Sequence, residues 1–137
     1  MCALSRVRGA ENTSAQAERA TPLAGLAHVG HKLLLSAAAL VASERVTVGV
    51  AGEQLLLNKG AGVLIQPVEL RSASVELFLQ SVKPGLAVDV RTIYDGVGHA
   101  GTEPGIDAIV VSEESAEGGY ICNRVRSKNG LAPMQVQ

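Results

Sequence analysis

Residues 28–50 read HVGHKLLLSAAALVASERVTVGV, and this stretch decides the fold. From about His31 to Ser43 the chain is built from Ala, Leu and Lys, all strong helix formers. Arg45 to Val50 then alternates Val46, Val48 and Val50, the pattern of a short β-branched strand. A helix followed at once by such a strand is the repeating unit of an α/β domain. What precedes the helix is a turn with two histidines around a glycine, His28, Gly30 and His31.

The same alternation continues outward. Gly52 breaks the strand, Glu53 to Asn58 forms one helical turn, and Lys59 to Gly62 is a Gly-rich loop. Pro67 stands where a helix begins. Val68 to Val82 carries apolar residues at 68, 75, 78, 79 and 82, a helical spacing, and Pro84-Gly85 ends it. Leu86 to Tyr94 reads as a strand, Asp95 to Pro104 as a Gly-rich loop, and Ile106 to Val111 as a strand apolar on both faces. Ser115 to Lys128 reads as a helix closed by Asn129-Gly130, and Met134 to Gln137 as a last short strand. Strands alternating with helices predict a Rossmann-like, doubly wound parallel sheet. Ligands of such sheets bind beyond the carboxyl ends of the strands. Those ends fall near Ala51 to Glu53, Tyr94 to Gly98 and Ser112 to Glu114, and His28 to His31 belongs to the same rim.

Composition narrows the function classes. The 137 residues fit one domain, and 47% hydrophobic residues supply a core. Phe78, Tyr94 and Tyr120 are the only aromatics, which argues against nucleic-acid binding by base stacking. A formal net charge of -1, from 12 basic and 13 acidic residues, is unsuited to broad polyanion binding. Cys2 and Cys122 suggest neither a disulfide framework nor a metal site, and a reducing, cytoplasmic setting fits. The longest apolar tract, Leu33 to Ala42, is interrupted by Ser36 and falls short of the roughly 18 to 20 residues of a membrane span. Residues 1–20 lack helical or strand periodicity and read as a disordered leader, which leaves 21–137 as the domain. Arg6, Arg8 and Arg19 give that leader a faint transit-peptide character, which Glu11 and Glu18 oppose.

The turn at His28 to His31 is the sharpest chemical signal. A helix start presents unpaired N–H groups and a partial positive charge, so it attracts phosphate. Two histidines there add directed donors, and Gly30 lets a phosphate approach the backbone closely. Such a site suits a reaction in which negative charge builds on a phosphoryl group in transit. Taken alone, the turn leaves two other readings open: two histidines adjacent by coincidence, or a metal site with His99 as third ligand.

Residues 28–50 resemble the HxGH motif, helix and second strand of the nucleotidylyltransferase superfamily. IQPVELR at 65–71, SVKPGLAVDV at 81–90, IVVSEES with AEGG at 109–119 and NRVRSKNGLAPMQV at 123–136 are similar to eukaryotic-type phosphopantetheine adenylyltransferase, the adenylyltransferase domain of coenzyme A synthase. The resemblance covers about residues 28 to 137, and the VVSEE and N-x-x-R blocks are more specific than HxGH. It implies a cytidylyltransferase-like domain that joins ATP and 4′-phosphopantetheine into dephospho-coenzyme A and diphosphate by direct in-line attack. Mg²⁺ is expected with ATP, and no metal site on the protein itself. His28 and His31 are then catalytic, together with Lys59, whose ammonium could reach either phosphate. Arg71 is a candidate for the phosphate of the acceptor. Gly30, Ser112, Glu113, Glu114 and Arg126 are candidates for the nucleotide. Each has a plainer alternative: a solvated loop lysine for Lys59, a helix-surface residue for Arg71, and a basic helix face shared with Arg124 and Lys128 for Arg126.

The family pattern is also broken in two places. Its first strand ends in Gly-Gly-Thr-Phe-Asp, where residues 21–25 here read TPLAG, and its Ser-rich segment and C-terminal helix find no counterpart after Gln137. The expectation is therefore an altered or missing first strand, partly replaced by Leu23 to Ala27, a compromised nucleotide site and reduced stability. Two alternatives stay open, a non-catalytic relative or nucleotide-binding module and a cytidylyltransferase.

Overall fold

The computed structural model describes residues 2–6, 29–57 and 66–137. In chain order its elements are β1 (Cys2–Arg6), α1 (Val29–Val41), β2 (Arg45–Ala51), α2 (Glu53–Leu57), α3 (Val68–Val82), β3 (Ala87–Ile93), β4 (Ala108–Val110), α4 (Ala116–Lys128) and β5 (Gln135–Val136). Single 3₁₀ turns cover Gly98–Gly101 and Glu113–Ser115. Among the described residues the strands form one sheet in the order β3-β2-β1-β4-β5.

Strand β2 is parallel to β3, β4 is parallel to β5, and β1 runs antiparallel to both of its neighbours. Four strands therefore share one direction, and the central one is reversed. The alternation in β2 sends Val46, Val48 and Val50 to one face, where they bury against Leu35, Ala38 and Ala39 of α1 and Val75 and Leu79 of α3. Alanine at 38 and 39 leaves room for the helix to approach the sheet closely. The opposite face carries a second cluster of Ala100, Ile106, Ile109, Cys122 and Met134, under α4 and the Gly98–Gly101 turn. Helices on both faces of a mainly parallel sheet are the doubly wound arrangement.

One expectation is corrected. Cys2–Arg6, assigned above to a disordered leader, forms the central strand, with Ala3 opposite both Val48 and Val110. The reason lies in β2 and β4, whose facing edges would otherwise carry a row of buried, unpaired backbone groups. Any extended segment that reaches the gap satisfies them, whatever its side-chain pattern. The sheet is accordingly mixed rather than wholly parallel, and its first strand is indeed altered. Residues 7–20, and the alternative strand proposed at Leu23 to Ala27, lie outside the described residues.

The helix ends show the local chemistry. Pro67 occupies the N-cap of α3, and the Arg71 N–H donates to its carbonyl at 3.2 Å. Lys83, in the turn after α3, donates its Nζ to the carbonyls of Ala39 (3.2 Å) and Ala42, so a cation serves the open C-terminus of α1. Helix α4 closes with Gly130 at φ 69°. The Leu131 N–H reaches the Arg126 carbonyl at 2.9 Å and the Gly130 N–H that of Ser127 at 3.2 Å. That pair of bonds is the Schellman motif, which needs glycine at its left-handed position. Among the described residues no helix is long and apolar enough to cross a membrane.

Candidate functional site

The carboxyl ends of β2, β3 and β4 lie on one rim of the sheet. Helix α1 reaches the amino end of β2 through residues 42–44 only, and its 13 residues run back along the strands. Its N-terminal turn, which holds Gly30 and His31, therefore stands at the carboxyl rim. Gly30 and His31 lie in that first turn and are exposed. His28 and Lys59, the other two expected catalytic residues, lie outside the described residues. The helix start itself carries a partial positive charge that suits an anion.

Arg71 sits one turn into α3, the helix that packs over β3 and β2. Its Nε donates to the carbonyl of Gln66 at 2.8 Å, which fixes the guanidinium beside the helix start. Its Nη2 is buried, and among the described residues it has no hydrogen-bond partner. A buried guanidinium nitrogen without an acceptor is costly, and an anion would relieve that cost.

Ser112, Glu113 and Glu114 follow β4 at the same rim and are exposed. The Ser112 backbone is extended, and its hydroxyl lies 3.0 Å from that of Ser115, which holds the turn into α4. The carboxylates of Glu113 and Glu114 favour the N-terminal end of the following helix electrostatically.

Arg126 is placed differently from the expectation. It is 1% exposed, on the inner face of α4 with Gly119 and Cys122. Its Nε donates to the Ala132 carbonyl at 2.7 Å, and its Nη1 donates to those of Ala100 and Glu103, both at 2.8 Å. Nη2 reaches the Ile106 carbonyl at 3.4 Å. Burial pushes its pKa down, opposed by Cys122 and Asp107; a guanidinium starts so high that it keeps its charge. The donors expected to face a nucleotide are spent on backbone carbonyls of the loop at 100–106 and of the approach to β5. Its neighbour Asn123 has the same role. Its amide donates to the Met134 carbonyl and accepts from the Met134 N–H, both at 2.8 Å. The N-x-x-R block therefore binds this chain to itself.

His99 lies on the opposite face from α1. It borders a small cleft with Thr47, Gly49, Arg91 and Ile93. The sheet stands between it and His31, which removes the basis for a shared metal site. Among the described residues no group of three or more His, Cys, Asp or Glu could hold a metal ion. Beside that cleft Arg91 bridges Asp89 (2.5 Å) and Glu103 (2.6 Å). The bond to Asp89, against some cost of burial, raises its pKa further.

Sequence reasoning passed over Tyr94. Its ring lies at the carboxyl end of β3, over Gly52 at the end of β2. The signal available was the glycine itself, placed where an alternating strand meets a helix with no turn that demands it.

No family model matches the chain. It is 36% identical over 109 residues to a phosphopantetheine adenylyltransferase of Saccharomyces cerevisiae, across 80% of this chain and 36% of that protein. To a Schizosaccharomyces pombe protein named only as uncharacterized it is also 36% identical over 109 residues, 34% of that protein. To a phosphopantetheine adenylyltransferase of Thermococcus gammatolerans it is 34% identical over 109 residues, 80% of this chain and 67% of that protein. The chain thus spans about a third of the fungal relatives and two thirds of the archaeal one. A solved structure described as a protein with unknown function from Archaeoglobus fulgidus superposes with a TM-score of 0.67 over 84% of this chain and 82% of that one. At 21% identity that likeness bears on the fold alone.

Proposed function

The chain belongs to the phosphopantetheine adenylyltransferase family, and on that premise we propose that it transfers an adenylyl group from ATP to 4′-phosphopantetheine. A phosphate oxygen of the acceptor attacks the α-phosphorus of ATP. The new P–O bond forms as the bond to the bridging oxygen breaks, and diphosphate leaves. The products are dephospho-coenzyme A and diphosphate. No covalent intermediate is required, so catalysis consists of positioning two anions and stabilising the charge that builds between them.

The observation that carries this reading is the anion-seeking character of the rim. A helix start with Gly30 and His31 exposed stands on it. Near it, Arg71 keeps a buried nitrogen without an acceptor among the described residues. In this reading His31, with His28, donates to the phosphates of ATP and follows the charge as it moves onto the transition state. Lys59 neutralises the approach of the second phosphate, and Arg71 holds that phosphate. Ser112, Glu113 and Glu114 border the nucleotide, and magnesium enters as the counter-ion of ATP's phosphates.

Diphosphate release by the intact chain tests the proposal, with phosphopantetheine and either ATP or CTP. Release that requires ATP is expected. Preference for CTP would support a cytidylyltransferase, and no release with either nucleotide would leave a non-catalytic relative.

A further inference from the structure

Gly52 is buried at the end of β2, and no left-handed backbone angle demands glycine there. Its neighbours do. A Cβ at this position would lie 3.0 Å from Cε1 and 3.1 Å from Cδ1 of Tyr94, and 3.2 Å from Cγ2 of Thr92. The tyrosine ring therefore rests on bare backbone. Yet Tyr94 is 69% exposed. One side of the ring is fixed against Gly52 and the rest is open at the carboxyl rim. Of the other two aromatics in the chain, Phe78 packs against the core and Tyr120 belongs to α4.

The side on which the ring lies matters. Position 52 continues the alternation of Val46, Val48 and Val50, and Tyr94 continues that of Val88, Val90 and Thr92. Val46, Val48, Val50, Val88 and Val90 belong to the core cluster that α1 and α3 cover. Tyr94 is thus on the same face, and at the same end of β2 and β3, as the first turn of α3, where the Nη2 of Arg71 is buried without a partner. Helix α1, with His31, lies mainly over β1 and β4. The rim on this face has two halves, one under α1 and one between α3, Gly52 and Tyr94.

We infer that Tyr94 is a specificity-determining residue for the acceptor substrate, whose phosphate is held by Arg71 and whose uncharged, amide-containing arm lies on the Tyr94 ring. This rests on the adenylyltransferase reading, which supplies the acceptor. The pair suits such a ligand: the guanidinium takes an anion and the ring takes an apolar or amide chain. A fixed ring binds such a chain with little loss of its own freedom, since it is already ordered on Gly52. Its hydroxyl can serve an amide while its face covers methyl and methylene groups.

Calorimetric titration of 4′-phosphopantetheine into the wild-type chain, Tyr94→Phe, Tyr94→Ala and Gly52→Ala tests this, with KM measured for both substrates. Tyr94→Ala should weaken phosphopantetheine roughly tenfold, the scale of one lost aromatic contact, and leave the KM for ATP unchanged. Gly52→Ala, which displaces the ring, should act in the same direction. Tyr94→Phe should stay within roughly threefold of wild type, the loss of one modest hydrogen bond. Inorganic phosphate, which lacks the arm, should compete equally well in all four proteins. A wild-type chain that binds no phosphopantetheine would overturn the adenylyltransferase reading and this inference together. Wild-type binding that Tyr94→Ala leaves unaltered, or an equal rise in both KM values, would overturn the inference alone.

Discussion

Asn123 and Met134 exchange two hydrogen bonds of 2.8 Å, the amide of one serving both backbone groups of the other. A side chain thus takes the part of a neighbouring strand and guides the chain into β5, which is only two residues long. Asn123→Ala leaves a partly buried donor and acceptor unmet and should cost about 1–3 kcal/mol. Thermal melting followed by circular dichroism should fall on the order of 5 °C. Asn123→Asp should lie between the two, because it can still accept from the Met134 N–H but cannot donate.

Arg126→Met removes the donor for the carbonyls of Ala132, Ala100, Glu103 and Ile106. The expected loss is on the order of 3 kcal/mol or more, since the methionine fills the volume and serves none of them. The KM for ATP, measured at a temperature where the variant is still folded, should not change. Weakened ATP binding with an unaltered melting temperature would return Arg126 to the nucleotide site.

Leu4→Pro tests the reversed central strand. Leu4 pairs with Thr47 on one side and Ile109 on the other. Proline in a central strand removes a ladder bond and cannot be accommodated as it can on an edge. The variant should lose about 3 kcal/mol or more, read as a collapse of the cooperative melt. An unchanged melt would mean that Cys2–Arg6 is dispensable to the sheet.

Arg91 predicts the pH behaviour of its cluster. Its pKa is raised above the ordinary guanidinium range, first through the bond to Asp89. A raised pKa gives stabilisation that is complete below the unfolded value and is lost as pH climbs through the folded one. That window is strongly alkaline. Arg91→Gln should therefore lower the melting temperature by the same few degrees at pH 6 and at pH 9. The loss should be about 1 kcal/mol, because the pair is about one-third exposed and screened by water.

Much of this architecture was legible in the sequence. The alternation of Val46, Val48 and Val50 gave β2, Pro67 marked the start of α3, and Asn129-Gly130 marked the end of α4. Each of those signals is local. Cys2–Arg6 was not legible, because it pairs to fill a gap created by two other strands. Arg126 could have been read correctly. Arg124 and Lys128 are four apart and share a helix face. Arg126 instead repeats the spacing of Gly119 and Cys122, which is the buried side. Charge concealed its position, since a buried arginine is uncommon unless its donors are all engaged. Tyr94 was hidden for another reason: only the folded chain brings the ends of β2 and β3 together.

The role proposed for the start of α1 is to act on a phosphoryl group in transit. Its most direct test is the rate of dephospho-coenzyme A formation from ATP and phosphopantetheine by the intact chain and by His31→Ala. We expect kcat to fall about 100-fold or more while the KM for ATP moves little, as for loss of a donor that acts mainly in the transition state. Product formed by the variant at the wild-type rate, or a loss confined to ATP binding, would contradict it.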